Sequence, residues 1–175
     1  LYTGTSGYSY KEWKGAFYPE EMPAKRMLHY YSERFRTVEI NNTFYRLPKV
    51  SVLEAWSAEV PADFKFVLKA SRQITHIKRL KDAAGSVSYL LETAETLKER
   101  LGALLFQMPP NLKKDAPRLR DFLALLPPQH RVAFEFRHQS WFDEEVFGLL
   151  KDHRAVLCIA EAENDLEVPF TATGD

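Results

Sequence analysis

Six apolar runs of strand length punctuate the chain, at 1–5 (LYTGT), 37–41 (TVEIN), 65–70 (KFVLKA), 103–108 (ALLFQM), 131–137 (RVAFEFR) and 155–161 (AVLCIAE). Each is short, rich in branched or aromatic residues, and bounded by breakers or polar residues, which is the pattern of a strand. Between them the apolar period changes. Met27, Leu28, Tyr31 and Phe35 share one side of a helix over 24–35. Val87, Leu90, Leu91, Ala94, Leu97 and Leu101 do the same over 86–101, with Ser86 placed to cap it. Shorter helices are expected over 117–126 and 143–153, and a weaker one over 50–58. Pro109-Pro110 and Pro127-Pro128 read as loop punctuation, and the sequence contains no repeat, low-complexity segment or internal linker.

Alternating strands and helices imply a parallel sheet flanked by helices, either doubly wound or closed into a β/α barrel. The polar residues inside the strands bear on that choice. Glu39 and Asn41 share one face of the second strand, opposite Val38 and Ile40. Lys69 comes late in the third strand, Gln107 late in the fourth, and Glu135 and Arg137 late in the fifth. Side chains alternate with period two, so each of these groups can point one way while its apolar neighbours meet the helices. All lie toward the carboxyl ends of their strands, where both α/β classes bind ligands. A barrel gathers such residues into one mouth, whereas an open sheet spreads them along a crevice, so polar groups from four strands favour a TIM-type β/α barrel. The acid and base in RVAFEFR then belong to a pocket floor and not to a dry core. The structural alternative is that the charges simply satisfy one another, Lys69 with Glu39 and Arg137 with Glu135.

Composition narrows the picture. The 175 residues are most simply one domain, 1–175, and 45% hydrophobic with 13% aromatic content suits a sizeable core. Formal net charge is zero, so no global field draws the chain to nucleic acid or an anionic membrane. No apolar run approaches the ~20 residues that span a bilayer. The single cysteine, Cys158, excludes an internal disulfide and fits a reducing compartment, so a cytoplasmic location is expected. A buried, inert thiol is the preferred reading of it. No signal-like segment follows Leu1, and a chain opening without Met is expected to have lost something at its start.

Five motifs together, GTSGYSYKEWKGAFYP (4–19), VEINNTFYRLP (38–48), FVLKASRQITH (66–76), LLFQMPP (104–110) and FEFRHQSW (134–141), resemble the YecE-like family, also called domain of unknown function 72. The resemblance runs in order along nearly the whole chain. It implies a β/α-barrel fold and supplies no particular reaction. By position it carries over Gly4, Ser6, Gly7, Trp13, Phe17 and Tyr18, then Glu39, Asn41, Thr43, Phe44 and Tyr45. Lys69, His76, Gln107, Glu135, Arg137, His138, Ser140 and Trp141 complete the set. Members usually continue further, with a late Tyr–Arg–His–Gly-type motif, whereas this chain stops at VPFTATGD. Six β/α units are present where eight are expected, so the barrel is expected to be incomplete at the carboxyl terminus, with exposed strand edges that promote association.

Glu39 and Glu135 are the candidate acid–base pair, because carboxylates in differing environments can divide proton donation and acceptance. Lys69 and Arg137 suit an anion, and Asn41 and Gln107 suit hydroxyls or amides. Tyr8, Phe44, Tyr45 and Trp141 fall in or near loops around the mouth and are candidate ligand walls, together with Ser6 and His76. Trp13 and Phe17, four apart, are better read as a loop staple. His76, His138, Glu39 and Glu135 are suitable metal ligands without compact spacing, so no metal is assigned and the cofactor stays open. GTSGYS lacks the Rossmann and Walker spacings, though its turn can offer backbone N–H groups to an anion.

Two functions fit. The first is an enzyme or ligand-binding barrel acting on a small polar or anionic ligand, phosphorylated or sugar-like. The second is a nucleotide or nucleic-acid binding module that stacks bases on the aromatics and holds phosphates with Lys69, Arg72, Lys78, Arg79 and Lys81 of the basic segment 69–81. The neutral overall charge favours the first, and no membrane partner is expected.

Overall fold

The computed structural model describes residues 1–161 and 166–174. Six parallel strands form one sheet: β1 (Gly4–Ser6), β2 (Thr37–Ile40), β3 (Lys65–Lys69), β4 (Leu101–Gln107), β5 (Val132–Glu135) and β6 (Val156–Leu157). Spatial order follows chain order throughout. A doubly wound sheet reverses its strand order at a switch point; no reversal occurs here. The expected closure is not present either. Among the described residues β1 and β6 do not pair, so the sheet is open.

The connecting helices are α1 (Met27–Ser32), α2 (Asn42–Tyr45), α3 (Val50–Glu59), α4 (Ala84–Ala94), α5 (Ala116–Leu123) and α6 (Glu144–Asp152). Alternation sorts the strand residues as period two requires. Val38, Ile40, Phe66, Leu68, Phe106 and Phe134 are buried in the core with Leu53, Val87, Leu90, Leu119, Phe122 and Leu150 of the helices. Glu39 and Lys69, on the other face, are half-buried. Aromatic rings run through this core. Phe106 stacks on Phe134 at 5.3 Å, and Phe136 stacks on Trp141 at 4.7 Å. Two helix starts are fixed by carboxylates. Asp115 accepts from the Arg118 N–H and Asp143 from the Val146 N–H, which satisfies donors a helix leaves orphaned.

Several elements differ from their expected bounds. β1 begins at Gly4, not Leu1, so Ser6 ends the strand beside Glu39. Gly4 is needed there because a Cβ would meet the Thr37 carbonyl oxygen at 1.9 Å. β6 is only Val156–Leu157. Ser86 does not cap α4. The helix begins two residues earlier, after Ala83, and no side chain caps it. The preceding turn, with Arg79, Leu80 and Asp82 all at positive φ, delivers the chain directly into the helix. The expected helix 86–101 leaves α geometry after Ala94 and breaks at Lys98 (φ 50°, ψ −127°). The four-residue α2 and a π-helical turn at Gln73–Ile77 were not anticipated, because neither is long enough to show a period.

The sheet edges carry hydroxyl plugs. The Gly7 N–H bonds to the Glu39 carbonyl, so the preceding Ser6 carbonyl faces outward from β1, and the Tyr10 hydroxyl donates to it at 2.5 Å. On β6 the Cys158 N–H bonds inward to Phe134. The outward Leu157 N–H donates to Thr173 Oγ1 at 2.7 Å, and that hydroxyl donates to the Ala155 carbonyl at 2.8 Å. Such plugs blunt edges that would otherwise pair with another chain. Thr173→Val is expected to cost about 2 kcal/mol, since it strands two backbone groups, and to make association concentration-dependent. Thr173→Ser is expected to behave like the parent. Urea unfolding and sedimentation of the three proteins measure this, and equal stability and size would show that the edge groups find other partners.

Candidate functional site

The carboxyl ends of the strands hold the predicted polar residues in two hydrogen-bonded groups. The first spans β1 and β2, where Ser6 and Glu39 are register partners. Ser6 Oγ donates to Glu39 Oε1 at 3.1 Å, and Asn41 Nδ2 donates to Ser6 Oγ at 2.6 Å. Gly7, at φ +81°, turns the chain behind them against the Tyr10 phenol, where a Cβ would come within 2.4 Å of the hydroxyl. The second group spans β4 and β5, where Gln107 and Glu135 are register partners. Gln107 Nε2 and Arg137 Nε both donate to the same oxygen, Glu135 Oε1, at 2.8 and 2.7 Å. The Glu135 side chain is 8% exposed and Arg137 is 47% exposed, so the carboxylate forms a floor and the guanidinium reaches into solvent.

Lys69 lies between the groups. Its Nζ sits 5.5 Å from the Phe44 ring centroid. Among the described residues no carboxylate lies within 4.0 Å of it. Of the two compensating pairs expected on structural grounds, Arg137–Glu135 is therefore present and Lys69–Glu39 is not. The π-helical turn places His76 edge-on to Phe44 at 4.9 Å, with Nδ1 2.9 Å from the Thr75 hydroxyl. Burial holds its pKa below the usual 6.5, and the charges of Lys69, Arg137 and Arg79 push the same way. The folded imidazole resists protonation, so it disfavours the fold as pH falls below about 6.5.

Cys158 follows β6 and is half-buried. Its thiol is raised to about 11, first by burial, then by Glu135 and Glu39, with Lys69 opposing. The thiol stays protonated at neutral pH, in keeping with the inert role expected of it.

The aromatic residues divide. Tyr45 is 70% exposed, edge-on to Phe44 at 5.1 Å, with the Arg72 guanidinium 5.8 Å from its ring. Tyr8 is half-buried and lines a 280 Å³ cavity with Gly7, Asn41 and Trp56. Its phenol is raised to about 12, chiefly by burial. Trp141 corrects the sequence expectation. It is 0% exposed, lies parallel to Phe136, and its Nε1–H donates to the Leu112 carbonyl at 2.7 Å. It has no face to offer a ligand. His138 Nδ1 accepts from the Ser140 N–H at 3.1 Å, a local turn contact. Trp13 and Phe17 meet edge-to-face at 5.7 Å, as a loop staple should.

Sequence reasoning left Arg79 outside the small-ligand site. Its charge adds to the lowering of the His76 pKa, and its Nη2 donates to Asn111 Oδ1 at 3.4 Å. The signal lay in tertiary placement, since its positive φ of 51° has no sequence mark. A cavity of about 780 Å³ lies at the opposite end, lined by Tyr2, Thr37, Lys65 and Arg131 at the strand starts. The Lys65 ammonium is already engaged there by the Glu99 carbonyl, and His130 faces Glu95 at 3.7 Å. The strand-end cluster has open cations, and that cavity does not combine them with hydrogen-bonded carboxylates. Among the described residues no three His, Cys, Asp or Glu side chains lie close enough to hold a metal ion, and no helix is long and apolar enough to cross a membrane.

A family model described as protein of unknown function DUF72 matches residues 2–175. The chain is similar to UPF0759 protein YecE of Escherichia coli K12, 32% identical over 116 residues, covering 66% of this chain and 43% of that protein. It is also similar to UPF0759 protein YunF of Bacillus subtilis 168, 27% identical over 150 residues, covering 81% and 52%. The chain thus spans about half the length of the curated relatives it matches. Among solved structures, a DUF72 family protein from Thermotoga maritima MSB8 superposes with a TM-score of 0.86 at 32% identity, covering 99% of this chain and 71% of the other. One from Enterococcus faecalis V583 superposes with a TM-score of 0.73, covering 84% and 59%; at 22% identity it shows the fold alone.

Proposed function

This chain belongs to the DUF72 family, and from its strand-end cluster we propose that it binds a small polar, anionic ligand, phosphorylated or sugar-like, at the carboxyl ends of its strands. The carrying observation is the double hydrogen bond to Glu135 Oε1. It fixes Arg137 through Nε alone. Among the described residues the Nη groups have no hydrogen-bond partner, and they stay available for a forked contact with a phosphate or carboxylate. Lys69, without a carboxylate of its own, supplies a second cation. Glu39 is half-buried and, among the described residues, its carboxylate accepts a side-chain hydrogen bond from Ser6 alone, so it is the proton donor or acceptor best placed to reach a ligand hydroxyl. Glu135 is the second acid–base candidate, through its Oε2. In the whole protein further strands displace the Tyr10 and Thr173 hydroxyls from the edges of β1 and β6 and complete a β/α barrel, in which these groups share one mouth. The unreversed strand order supports that reading.

The test is thermal unfolding of the whole protein with a panel of sugar phosphates and sugar acids. At least one is expected to raise the midpoint, and Lys69→Met is expected to weaken that ligand about tenfold, the worth of one charge-assisted hydrogen bond. A panel without effect, or an equal effect in the variant, contradicts the reading. A second reading, a nucleotide or nucleic-acid site, is favoured by the exposed Tyr45 ring under Arg72. An oligonucleotide that binds and loses affinity steeply between about 50 and 200 mM salt, as counterion release from several phosphate contacts demands, would establish it instead.

A further inference from the structure

A cleft of about 240 Å³ opens between the connections that follow β2 and β3. Two exposed rings line it, Tyr45 at the end of α2 and Tyr89 within α4, at 70% and 57% exposure. Its other apolar groups are Leu47, Ile74 and Leu90. Polar groups stand among them. Ser71 and Gln73 follow β3 closely, and Ser86 comes from the first turn of α4. Ser86 has the spacing of a helix cap, yet α4 begins two residues before it, so its hydroxyl caps nothing. The Gln73 amide likewise has no hydrogen-bond partner among the described residues. Arg46 lines the same cleft, and the Arg72 guanidinium lies 5.8 Å from the Tyr45 ring. Among the described residues neither arginine has a carboxylate within 4.0 Å. One ring separates this cleft from the mouth. Phe44 meets Tyr45 at 5.1 Å, and the Lys69 Nζ lies 5.5 Å from the same Phe44 ring.

We propose that the cleft takes the base of a nucleoside monophosphate whose phosphate points back toward Arg72 and Lys69. This rests on the anionic-ligand reading and names the group that carries the anion. The volume is below the about 300–1,000 Å³ of a pocket that encloses a whole drug-sized ligand, so it suits one ring system of a larger molecule. Exposed tyrosines stack on the face of any base. Gln73 offers a donor and an acceptor side by side, the pattern that pairs with the N6 and N7 edge of adenine. A phenyl or alkyl group would bury that amide and the Ser86 hydroxyl unpaired. A sugar ring carries hydroxyls around its whole rim, and Leu47, Ile74 and Leu90 would leave several of them without partners. A base is polar at its edge and apolar on its faces, as the cleft is.

Calorimetric titration of the whole protein with adenosine 5′-monophosphate tests this, with ribose 5-phosphate and adenosine as comparison arms. The monophosphate is expected to bind at least tenfold more tightly than either, because each arm lacks one of the two recognised groups. Tyr89→Ala is expected to weaken the monophosphate about tenfold, the worth of one stacked base, and to shrink its advantage over ribose 5-phosphate to within about threefold. The ring is more than half exposed, so the unfolding midpoint is expected to stay near that of the parent. Gln73→Ala is expected to reduce the preference for adenosine over uridine monophosphate, a readout that a purely structural role would not move. Ribose 5-phosphate binding as tightly as the monophosphate, or an unchanged preference in Tyr89→Ala, overturns this inference and leaves the anion-binding reading intact. Adenosine binding as tightly as its monophosphate overturns the placing of the phosphate. An oligoadenylate that binds more than about a hundredfold tighter than the monophosphate assigns the cleft to nucleic acid and overturns the single-nucleotide form. No binding of the monophosphate or of ribose 5-phosphate overturns both readings.

Discussion

Trp141→Ala is expected to destabilise the protein by about 4 kcal/mol, the range for deleting a fully buried indole. The ring is wholly inside, stacked on Phe136, and its N–H is the donor for the Leu112 carbonyl between β4 and α5. The substitution removes the stack, opens a cavity and leaves a buried carbonyl without its donor, and the last effect adds to the first two. Trp141→Phe keeps most of the volume and loses only the donor, so about 1–2 kcal/mol is expected. Denaturant unfolding of the two variants gives both numbers. A ligand wall would behave in the opposite way. If Trp141→Ala changes stability by less than about 1 kcal/mol yet abolishes binding, the indole is not the core residue that its packing indicates.

Glu135→Gln and Arg137→Ala are expected to separate chemistry from folding. Arg137→Ala leaves a buried carboxylate supported by Gln107 alone. Breaking one half of a buried pair costs several kcal/mol, and the half-exposure of Arg137 moderates this to about 2 kcal/mol. Glu135→Gln removes the charge but keeps the shape, and the Gln107 amide still finds an oxygen. Stability is expected to stay within about 1 kcal/mol of the parent. Ligand affinity or turnover is expected to fall at least tenfold, because the guanidinium loses the charged anchor that fixes its Nη groups. Unfolding midpoints measured beside ligand affinity decide between the roles. Normal affinity and turnover in Glu135→Gln would remove Glu135 from the acid–base mechanism, and a large stability loss in that variant would make the pair structural.

Local sequence period determined the six β/α units and which strand residues face the helices. It also placed Glu39, Lys69, Gln107 and Glu135 late on their strands, because side-chain direction in a strand depends only on counting by two. Contacts across strands depend on register, which counting cannot supply. That Gln107 and Arg137 share one oxygen of Glu135 follows from Gln107 standing directly beside Glu135. Trp141 reads as a mouth residue because it follows β5 by only a few positions. Its actual neighbours, Phe136 and Leu112, come from β5's continuation and the loop after β4, and their packing turned the indole inward. Ser86 lost its capping role through a turn of positive φ values at Arg79, Leu80 and Asp82, which non-glycine residues adopt only when their surroundings impose it. The edge plugs by Tyr10 and Thr173 are likewise tertiary, since each joins a hydroxyl to backbone on another segment. The sequence by itself determined the layout of the elements and the direction of their side chains. Only the tertiary structure decided which charge is paired, which is open and which aromatic is buried, because those outcomes depend on distances between segments far apart in the chain.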